Sequence, residues 1–369
     1  MLNLKARSDL EGIQKIVSIK ASMNWGLSDT LITQFPTVQP VPRPIVNFVR
    51  VASLEEKRLY STNVVSESNL CPYWVSGFAD AESSFSLSMF KSSKSKAGWA
   101  VRPDFIINLH SKDTALLRRI HSFFGVGTIR EREDRNVITY TVSSVRDITN
   151  VILPHFDKYP LVTHKLADYL LFKKGVDLLN RKAHHELEGI MQILSAKASM
   201  NKGLSLAILS EFPTVIPDPR PRVNSDVVIP HPNWLTGFVD GEGCFYVLVS
   251  ADKNYSTGVR VKLTFYITQH RRDELLMAKL IEYLGCGRVN KPSTRSNEMD
   301  FVVTKIGDIL GKIIPFFFQK YPLQGVKSLD LRDFCAVAKI MEDKSHLTLE
   351  GMRKIKSLKS GMITGRINS

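Results

Sequence analysis

Two glutamates, Glu82 and Glu242, end two similar stretches of this 369-residue chain, VSGFADAES at 75–83 and LTGFVDGEG at 235–243. In both stretches, small and apolar residues lead to the acid in a pattern that favours a helix. Two carboxylates facing each other at helix C-terminal ends are unfavourable unless a cation lies near them. Mg²⁺ or Mn²⁺ would accept such oxygen ligands and also bind phosphate oxygens. The pattern therefore predicts a shared metal site for hydrolysis of a phosphodiester.

Small residues on the two predicted helices would allow the glutamates to meet. Gly77 and Ala81 lie four residues apart, as do Gly237 and Gly241, so each pair shares one helix face. Faces of this kind let two helix backbones approach closely. A single acid-ended helix is common and would be explained first as ordinary structure. Two copies, each followed by an alternating strand, favour a functional site.

Other polar residues near these stretches have structural interpretations. Asp80 and Asp240 stand two residues before the glutamates. On a helix they point away from them, so we expect scaffold roles. His110 and His270 follow an apolar strand and begin a helix, which favours capping or packing over metal binding.

The chain repeats itself. A shift of 160 residues, the difference between Glu82 and Glu242, aligns the two stretches and the strands that follow them. The segment KYPL then recurs at 158–161 and 320–323. Self-similarity of this kind marks duplicated structural units. It predicts two copies of one domain, and we place their bounds at 70–182 and 231–345.

A second repeat lies outside the two domains. Residues 11–47 match 188–224 from EGI through FPTV and PRP. The later copy is the natural linker, because its prolines end a helix and stiffen the chain. We therefore predict an N-terminal extension at 1–60 that resembles the linker at 183–230, and a C-terminal tail at 346–369. The extension is either a leftover of duplication or fusion, or an element that packs on the body.

Apolar residues alternate after each acid, which predicts a strand with one buried face. A second strand, a helix, two short strands and a last helix follow in both copies. Each unit therefore reads αββαββα, an α+β fold with a four-stranded antiparallel sheet. Two pseudo-symmetric domains of this kind would place their polar sheet faces side by side, as a saddle for a groove of duplex DNA.

Composition agrees with a nucleic-acid partner. The net charge is +14 and the pI is near 9.5, which favours a polyanion. The four cysteines lie far apart and lack zinc-ligand or redox spacing. There is no run of 18 apolar residues, so no membrane span is expected. The segment MLNLKARSDL has no signal-peptide core and is a poor transit peptide.

Outward-facing strand residues should read DNA through base edges and phosphates. Lys94, in the loop KSSKSKAG, is expected to hold the DNA backbone, although such a charged loop is as readily a solvated one. The remaining predicted DNA contacts are Ser84, Ser86, Ser88, Arg102, Asn108, Arg130, Arg132, Tyr246, Arg260, Lys262, Thr264, Thr268 and Arg288.

The chain resembles two-repeat LAGLIDADG homing endonucleases, of the type encoded in fungal mitochondrial introns. The resemblance rests on the motif at 75–83 and 235–243, on TQH at 268–270 and on GCG at 285–287. It implies a mitochondrial, organelle-encoded monomer with pseudo-twofold symmetry. It also implies Mg²⁺-dependent cleavage of both strands at a long, nearly asymmetric DNA site, leaving short 3′ overhangs.

The resemblance also assigns residues to the site. It implies that Glu82 and Glu242 bind the metal, with help from the backbone carbonyls of Ala81 and Gly241. Gln269 matches the family's polar active-site position, and the first copy has Leu109 there.

Lys165 and Lys327 are basic candidates near the phosphates. Their alternative is ion pairing with Asp168 and Asp330 at a helix start. Ser83 replaces the final glycine of the motif. We expect it to fit a left-handed helix end poorly and to displace Glu82 slightly.

Two other functions compete. An RNA maturase that assists splicing of its own intron would use the same fold, with or without cleavage. A DNA-binding regulator with an inactive site is disfavoured by the intact glutamates, because a binder does not need two repelling acids.

Overall fold

The structure is a computed structural model, and it describes residues 70–223, 227–255 and 257–362. The predicted N-terminal extension at 1–60 lies outside these residues. Throughout the described ranges, no helix is both long and apolar enough to cross a membrane.

The first repeat begins with helix α1 (Pro72–Glu82) and the hairpin strands β1 (Ser83–Lys91) and β2 (Trp99–His110). Helix α2 (Thr114–Phe124), strands β3 (Thr128–Arg132) and β4 (Val137–Val142) and helix α4 complete the predicted unit; α4 spans Lys165–Asn180. A further helical segment, α3, precedes α4. It comprises Val145–Asp147, a π-helical turn at Ile148–Ile152, and Leu153–Lys158. The αββαββα pattern is thus confirmed, with this one helical segment added to it.

The linker contributes α5 (Leu187–Ala198) and α6 (Leu206–Glu211). The second repeat then follows the same order. Its elements are α7 (Pro232–Glu242), β5 (Gly243–Ala251), β6 (Val259–His270), α8 (Glu274–Leu284), β7 (Arg288–Asn290), β8 (Glu298–Val303), the helical turns Ile306–Asp308, Ile309–Ile313 and Pro315–Lys320, α9 (Lys327–Glu342) and α10 (Leu349–Ser360).

Both sheets have four antiparallel strands, in the orders β1-β2-β4-β3 and β5-β6-β8-β7. Each first strand starts at the residue after its helix glutamate, where Ser83 pairs with Ile107 and Gly243 pairs with Ile267. The inner faces carry matching aromatic clusters between sheet and helices. These comprise Phe85, Phe105, Phe156 and Phe172 in the first domain and Phe245, Phe265, Phe317 and Phe334 in the second.

Helices α1 and α7 pack against each other through their small residues. A Cβ atom added to Gly77 would lie 1.9 Å from the carbonyl oxygen of Trp234, and one on Gly237 would lie 2.0 Å from that of Trp74. At the next turn, a Cβ on Gly241 would lie 2.2 Å from the Cβ of Ala81. The predicted close approach of the two helices is therefore confirmed, and it joins the two domains.

Reciprocal hydrogen bonds across this helix pair use the two aspartates. The carboxylate of Asp80 accepts from Trp234 Nε1 at 3.0 Å and from the Thr163 hydroxyl at 2.6 Å. Asp240 accepts from Trp74 Nε1 at 2.9 Å. Burial raises the pKa of both aspartates to about 6, and their hydrogen bonds act in the opposite direction. These contacts confirm the scaffold interpretation, since both carboxylates are committed to holding the domains together.

The linker packs on the first domain. Ile190 and Leu194 of α5 are fully buried in a cluster with Trp99 of the β1–β2 hairpin. Ile208 and Phe212 close the same cluster. The linker therefore acts as a cover for this hairpin as well as a connection between the two repeats.

Candidate active site and nucleic-acid interface

Glu82 and Glu242 converge where α1 and α7 end. Both side chains are partly exposed. A Cβ added to Gly241 would lie 3.3 Å from Oε1 of Glu82, so the Glu82 carboxylate reaches the residue that precedes Glu242. The packing of small residues therefore brings the two acids to one place between the sheets.

A half-buried lysine supports this end of α1. The ammonium of Lys165 donates to the carbonyl oxygens of Ala79 at 2.9 Å and Ser83 at 2.5 Å, and lies 3.4 Å from that of Ala81. Burial lowers the pKa of Lys165, while the charges of nearby carboxylates, including Glu82 and Glu242, oppose that shift. A positive charge therefore stands at the negative end of the helix dipole, close to both glutamates.

The alternative pairing of Lys165 with Asp168 is limited to a charge interaction without a hydrogen bond. Asp168 instead accepts from Arg220, at 2.9 Å from Nη1, and from the backbone N–H of Asn201. Both donors come from the linker, which sequence proximity along α4 does not reveal. Lys165 donates its hydrogen bonds to the backbone carbonyls at the end of α1 instead.

Lys327 does the same for α7. Its ammonium donates to the carbonyls of Val239 at 3.1 Å and Gly241 at 2.6 Å. The carbonyls of Ala81 and Gly241, which the family resemblance adds to the metal site, thus already contact lysines. A carbonyl oxygen has two lone pairs, so contact with a lysine does not by itself prevent a role beside a metal ion.

The donor set at this site consists of oxygen atoms. In the part of the chain that the structure describes, no group of three or more His, Cys, Asp or Glu side chains is placed to hold a metal ion. Two carboxylates with carbonyl oxygens suit Mg²⁺, which is held by few protein ligands and completes its shell with water and phosphate oxygens. The residues therefore fit an ion bound jointly by protein and nucleic acid.

Gln269 lies on β6, two residues beyond the position that pairs with the residue after Glu242. That position is Ile267, which pairs with Gly243. The neighbouring His270 accepts a hydrogen bond at Nδ1 from the backbone of Arg272, at 3.1 Å. His110 caps the equivalent turn through Lys112 at 3.2 Å, so the capping interpretation of both histidines is confirmed.

The expectation about Ser83 is wrong. Ser83 and Gly243 both have extended backbones, with φ of −90° and −73°, so neither helix ends in a left-handed turn. A Cβ on Gly243 would lie 2.6 Å from Cγ1 of Val239. The first repeat has Ala79 at that position, and the Ser83 hydroxyl donates to its carbonyl at 2.6 Å. A side chain at position 243 would clash with Val239, so the second repeat needs glycine there. In the first repeat the corresponding neighbour is Ala79, which leaves room for Ser83.

The structure exposes most of the predicted DNA contacts. Lys94, Arg102, Asn108, Arg130, Arg132, Arg260 and Arg288 are exposed, and Ser84, Ser86, Ser88, Tyr246, Lys262 and Thr264 are partly exposed. Thr268 is the exception, because it is only 7% exposed and donates to Asp300 at 2.6 Å. Its burial and this hydrogen bond contradict the predicted DNA contact of Thr268.

A lysine from the C-terminal helix joins this face. Lys359 of α10 lies over the ring of Tyr246, with Nζ 6.0 Å from the ring centroid. The sequence predicts a C-terminal tail at 346–369, and the segment HLTLEGM at 346–352 begins a third partial copy of the linker repeat. This match makes Lys359 equivalent to Lys197 of the linker. Because the linker packs on the first domain, the match indicates that the tail belongs beside the second sheet.

Two domains of one fold, joined through acid-ended helices with a polar sheet face on each, define the homing endonuclease class of structure. A family model described as LAGLIDADG endonuclease matches residues 75–176 and 235–338. The chain therefore belongs to the LAGLIDADG endonuclease family.

Named relatives and solved structures agree with this membership. "Probable intron-encoded endonuclease 3" of Neurospora crassa is 39% identical over 287 residues, which cover 77% of this chain and 53% of the relative. "Probable intron-encoded endonuclease 2" of the same fungus is 37% identical over 303 residues, which cover 79% of this chain and 65% of the relative. The chain thus spans between half and two thirds of these two relatives.

Two solved structures share the fold. The I-SmaMI LAGLIDADG homing endonuclease bound to cleaved DNA has a TM-score of 0.79 and 44% identity, covering 81% of this chain and 99% of that one. The I-LtrWI enzyme bound to target DNA has a TM-score of 0.77 and 39% identity, covering 80% of this chain and 98% of that one.

Proposed function

We propose that this chain is a site-specific double-strand DNA endonuclease of the intron-homing type. It acts as a monomer, each domain contacting one half of a long duplex site, and leaves short 3′ overhangs. The observation that carries the proposal is the convergence of Glu82 and Glu242 between two polar sheet faces. Two relatives are named probable intron-encoded endonucleases of a fungus, which supports intron homing. A mitochondrial location is part of the same proposal.

In this proposal, Glu82 and Glu242 hold a divalent cation, with Mg²⁺ or Mn²⁺ as the native ion. When bound, such an ion supplies a nucleophilic water and stabilises the leaving oxygen of a phosphodiester. A structure of the related I-SmaMI was determined with its DNA target and calcium ions, which supports a divalent site in the family.

The other site residues have supporting roles. Lys165 and Lys327 neutralise the ends of α1 and α7 and so fix the two glutamates. Their charge also lies near the phosphate that undergoes cleavage. Gln269 can donate or accept through its amide, and it orients a water molecule beside Glu242. Leu109 cannot do so in the first repeat, so the two strands are cut in unequal surroundings.

Cleavage of a randomised duplex pool in Mg²⁺, with sequencing of the cut ends, tests this function. We expect one long recognition site with 3′ overhangs. Glu82→Gln and Glu242→Gln should each slow cleavage by a factor of about 100 or more, as expected when a metal ligand is lost, while leaving binding of the duplex measurable. Glu282→Gln, on the exposed side of α8, is the matched control. Undiminished cutting by both site variants would refute the assignment.

Maturase activity remains the alternative proposal, because the relatives' names place them in introns. It is separated from cleavage by adding wild-type and Glu242→Gln protein to transcripts of the host intron. A variant that promotes splicing without nicking DNA would establish a second role on RNA. If neither protein alters splicing, the maturase alternative is excluded.

A further inference from the structure

An acid lies on the surface that is proposed to face DNA. Asp104 is on the outward side of β2, opposite Ser86 of β1, yet it is only 1% exposed. A negative charge on such a surface opposes binding of a polyanion. Its burial and position therefore call for a physical explanation.

Asp104 is surrounded by donors. Ser88 donates its hydroxyl to Oδ2 at 2.6 Å, and Ser143 donates to Oδ1 at 2.6 Å. Arg102 adds a bidentate contact, from Nε to Oδ1 at 2.8 Å and from Nη2 to Oδ2 at 3.2 Å. The carboxylate is thus neutralised and held from three sides, and it fixes the plane of the arginine side chain.

The fixed guanidinium retains donors of its own. Asp104 uses the edge formed by Nε and Nη2, while the Arg102 side chain remains 55% exposed. Of the five N–H groups of an arginine, this leaves three, and two of them, one on Nη1 and one on Nη2, lie side by side. Two parallel donors of this kind match O6 and N7 of guanine in the major groove.

The second domain lacks this arrangement at the equivalent positions. A shift of 160 residues places Lys262 at the position of Arg102 and Thr264 at that of Asp104. The pKa of Lys262 is lowered by burial and by the neighbouring charges of Arg260 and Arg288. A cluster of cations suits contact with phosphates, which positions DNA without reading its sequence.

The second sheet also has an acid–arginine pair, but a closed one. Arg295 contacts Asp300 at 2.6 Å and Glu298 at 2.7 Å. Its side chain is only 16% exposed, so it neutralises acids without presenting donors. Among the residues that the structure describes, the open Asp104–Arg102 pair therefore has no equivalent at these positions of the second domain.

We propose that Asp104 is a positioning residue that holds Arg102 in one orientation to read a guanine in the half-site bound by the first domain. This inference rests on the proposed DNA-binding function and names a base within its target. An unsupported arginine loses rotamer entropy when it is ordered. The contacts from Asp104 order the Arg102 side chain before DNA binds. Discrimination at this base therefore depends on Asp104.

The test begins with the recognition site selected from the randomised duplex pool, both by cutting and by binding. Duplexes that carry each single base-pair change are then titrated with wild-type protein and with Asp104→Asn and Arg102→Lys. Wild type should favour G·C at one position of the first half-site by about 5- to 150-fold. Both variants should flatten the preference at that same position and leave the other positions unchanged.

Arg102→Lys keeps the positive charge and lies on the surface, so it remains informative if Asp104→Asn folds poorly. Asp157→Asn, which alters an acid that pairs with Lys173, is the control. If the variants lose affinity equally whichever base pair is changed, Arg102 contacts a phosphate and the inference is overturned. The same conclusion follows if Arg102→Ala lowers the number of ions released on binding by about one. Protein that binds and cuts but has no guanine position sensitive to both variants also overturns it, with the endonuclease proposal intact. Protein that neither binds nor cuts any duplex refutes both.

Discussion

Replacement of Gly77 by alanine should destabilise the protein through the contact between α1 and α7. The added Cβ would lie 1.9 Å from the Trp234 carbonyl oxygen and 2.9 Å from the backbone nitrogen of Phe238. Both atoms belong to helix backbone and cannot rotate aside. An ordinary contact begins near 3.4 Å, so α7 must move away by about 1.5 Å, the difference between 3.4 and 1.9 Å.

The magnitude follows from three effects. Overpacking of a tight interface costs about 1–3 kcal/mol. A shift of α7 also weakens the hydrogen bond from Trp234 to Asp80, which contributes about 1 kcal/mol. Alanine returns about 1 kcal/mol through its higher helix propensity. We therefore expect the free energy of unfolding to fall by about 2 kcal/mol.

Urea denaturation followed by tryptophan fluorescence measures this change, and the midpoint should fall with an unaltered slope. Gly307→Ala is the matched control, because a Cβ there meets no atom within 4 Å. It should leave stability unchanged or raise it by up to about 1 kcal/mol. If Gly77→Ala is as stable as Gly307→Ala, the helices do not meet at these glycines and the reasoning is refuted.

Three further predictions concern single contacts. Lys165→Met should lower the free energy of unfolding by about 2 kcal/mol, since carbonyls at the end of α1 lose a charged donor; no change relative to a Lys158→Met control would contradict this. Burial lowers the pKa of His155 from 6.5 to about 4, because the folded protein disfavours the charged imidazole. The stability that the neutral side chain provides is complete above pH 6.5 and is lost as the pH falls toward 4. Wild type should therefore lose about 3 kcal/mol over that interval relative to His155→Gln, and parallel stability profiles of the two proteins would refute the shift. Gly243→Ser should destabilise by about 1–3 kcal/mol because its Cβ meets Val239; adding Val239→Ala should recover part of the loss, and strict additivity in the double-mutant cycle would exclude the contact.

The internal repeat, the helices and strands, and the contact between α1 and α7 could be predicted from the sequence, because each depends on local or periodic patterns. Period-two alternation after Glu82 and Glu242 indicates strands whichever partners they pair with. Gly77 with Ala81, and Gly237 with Gly241, indicate close helix packing because small residues at a four-residue spacing share one helix face and let two backbones approach. The short helical turns before KYPL were missed, since three brief pieces interrupted by Pro154 do not present a continuous helical period.

By itself, the sequence determined that the chain contains two copies of one α+β unit, each with an acid at a helix end and a polar strand face. These properties follow from residue spacing along one element. The tertiary structure alone decided which atoms meet. It joined Lys165 to the carbonyls of α1, Asp80 to Trp234, and Ser143 to the pair formed by Asp104 and Arg102. Such contacts link residues far apart in the chain, and their geometry depends on how helices and sheets pack rather than on any local pattern.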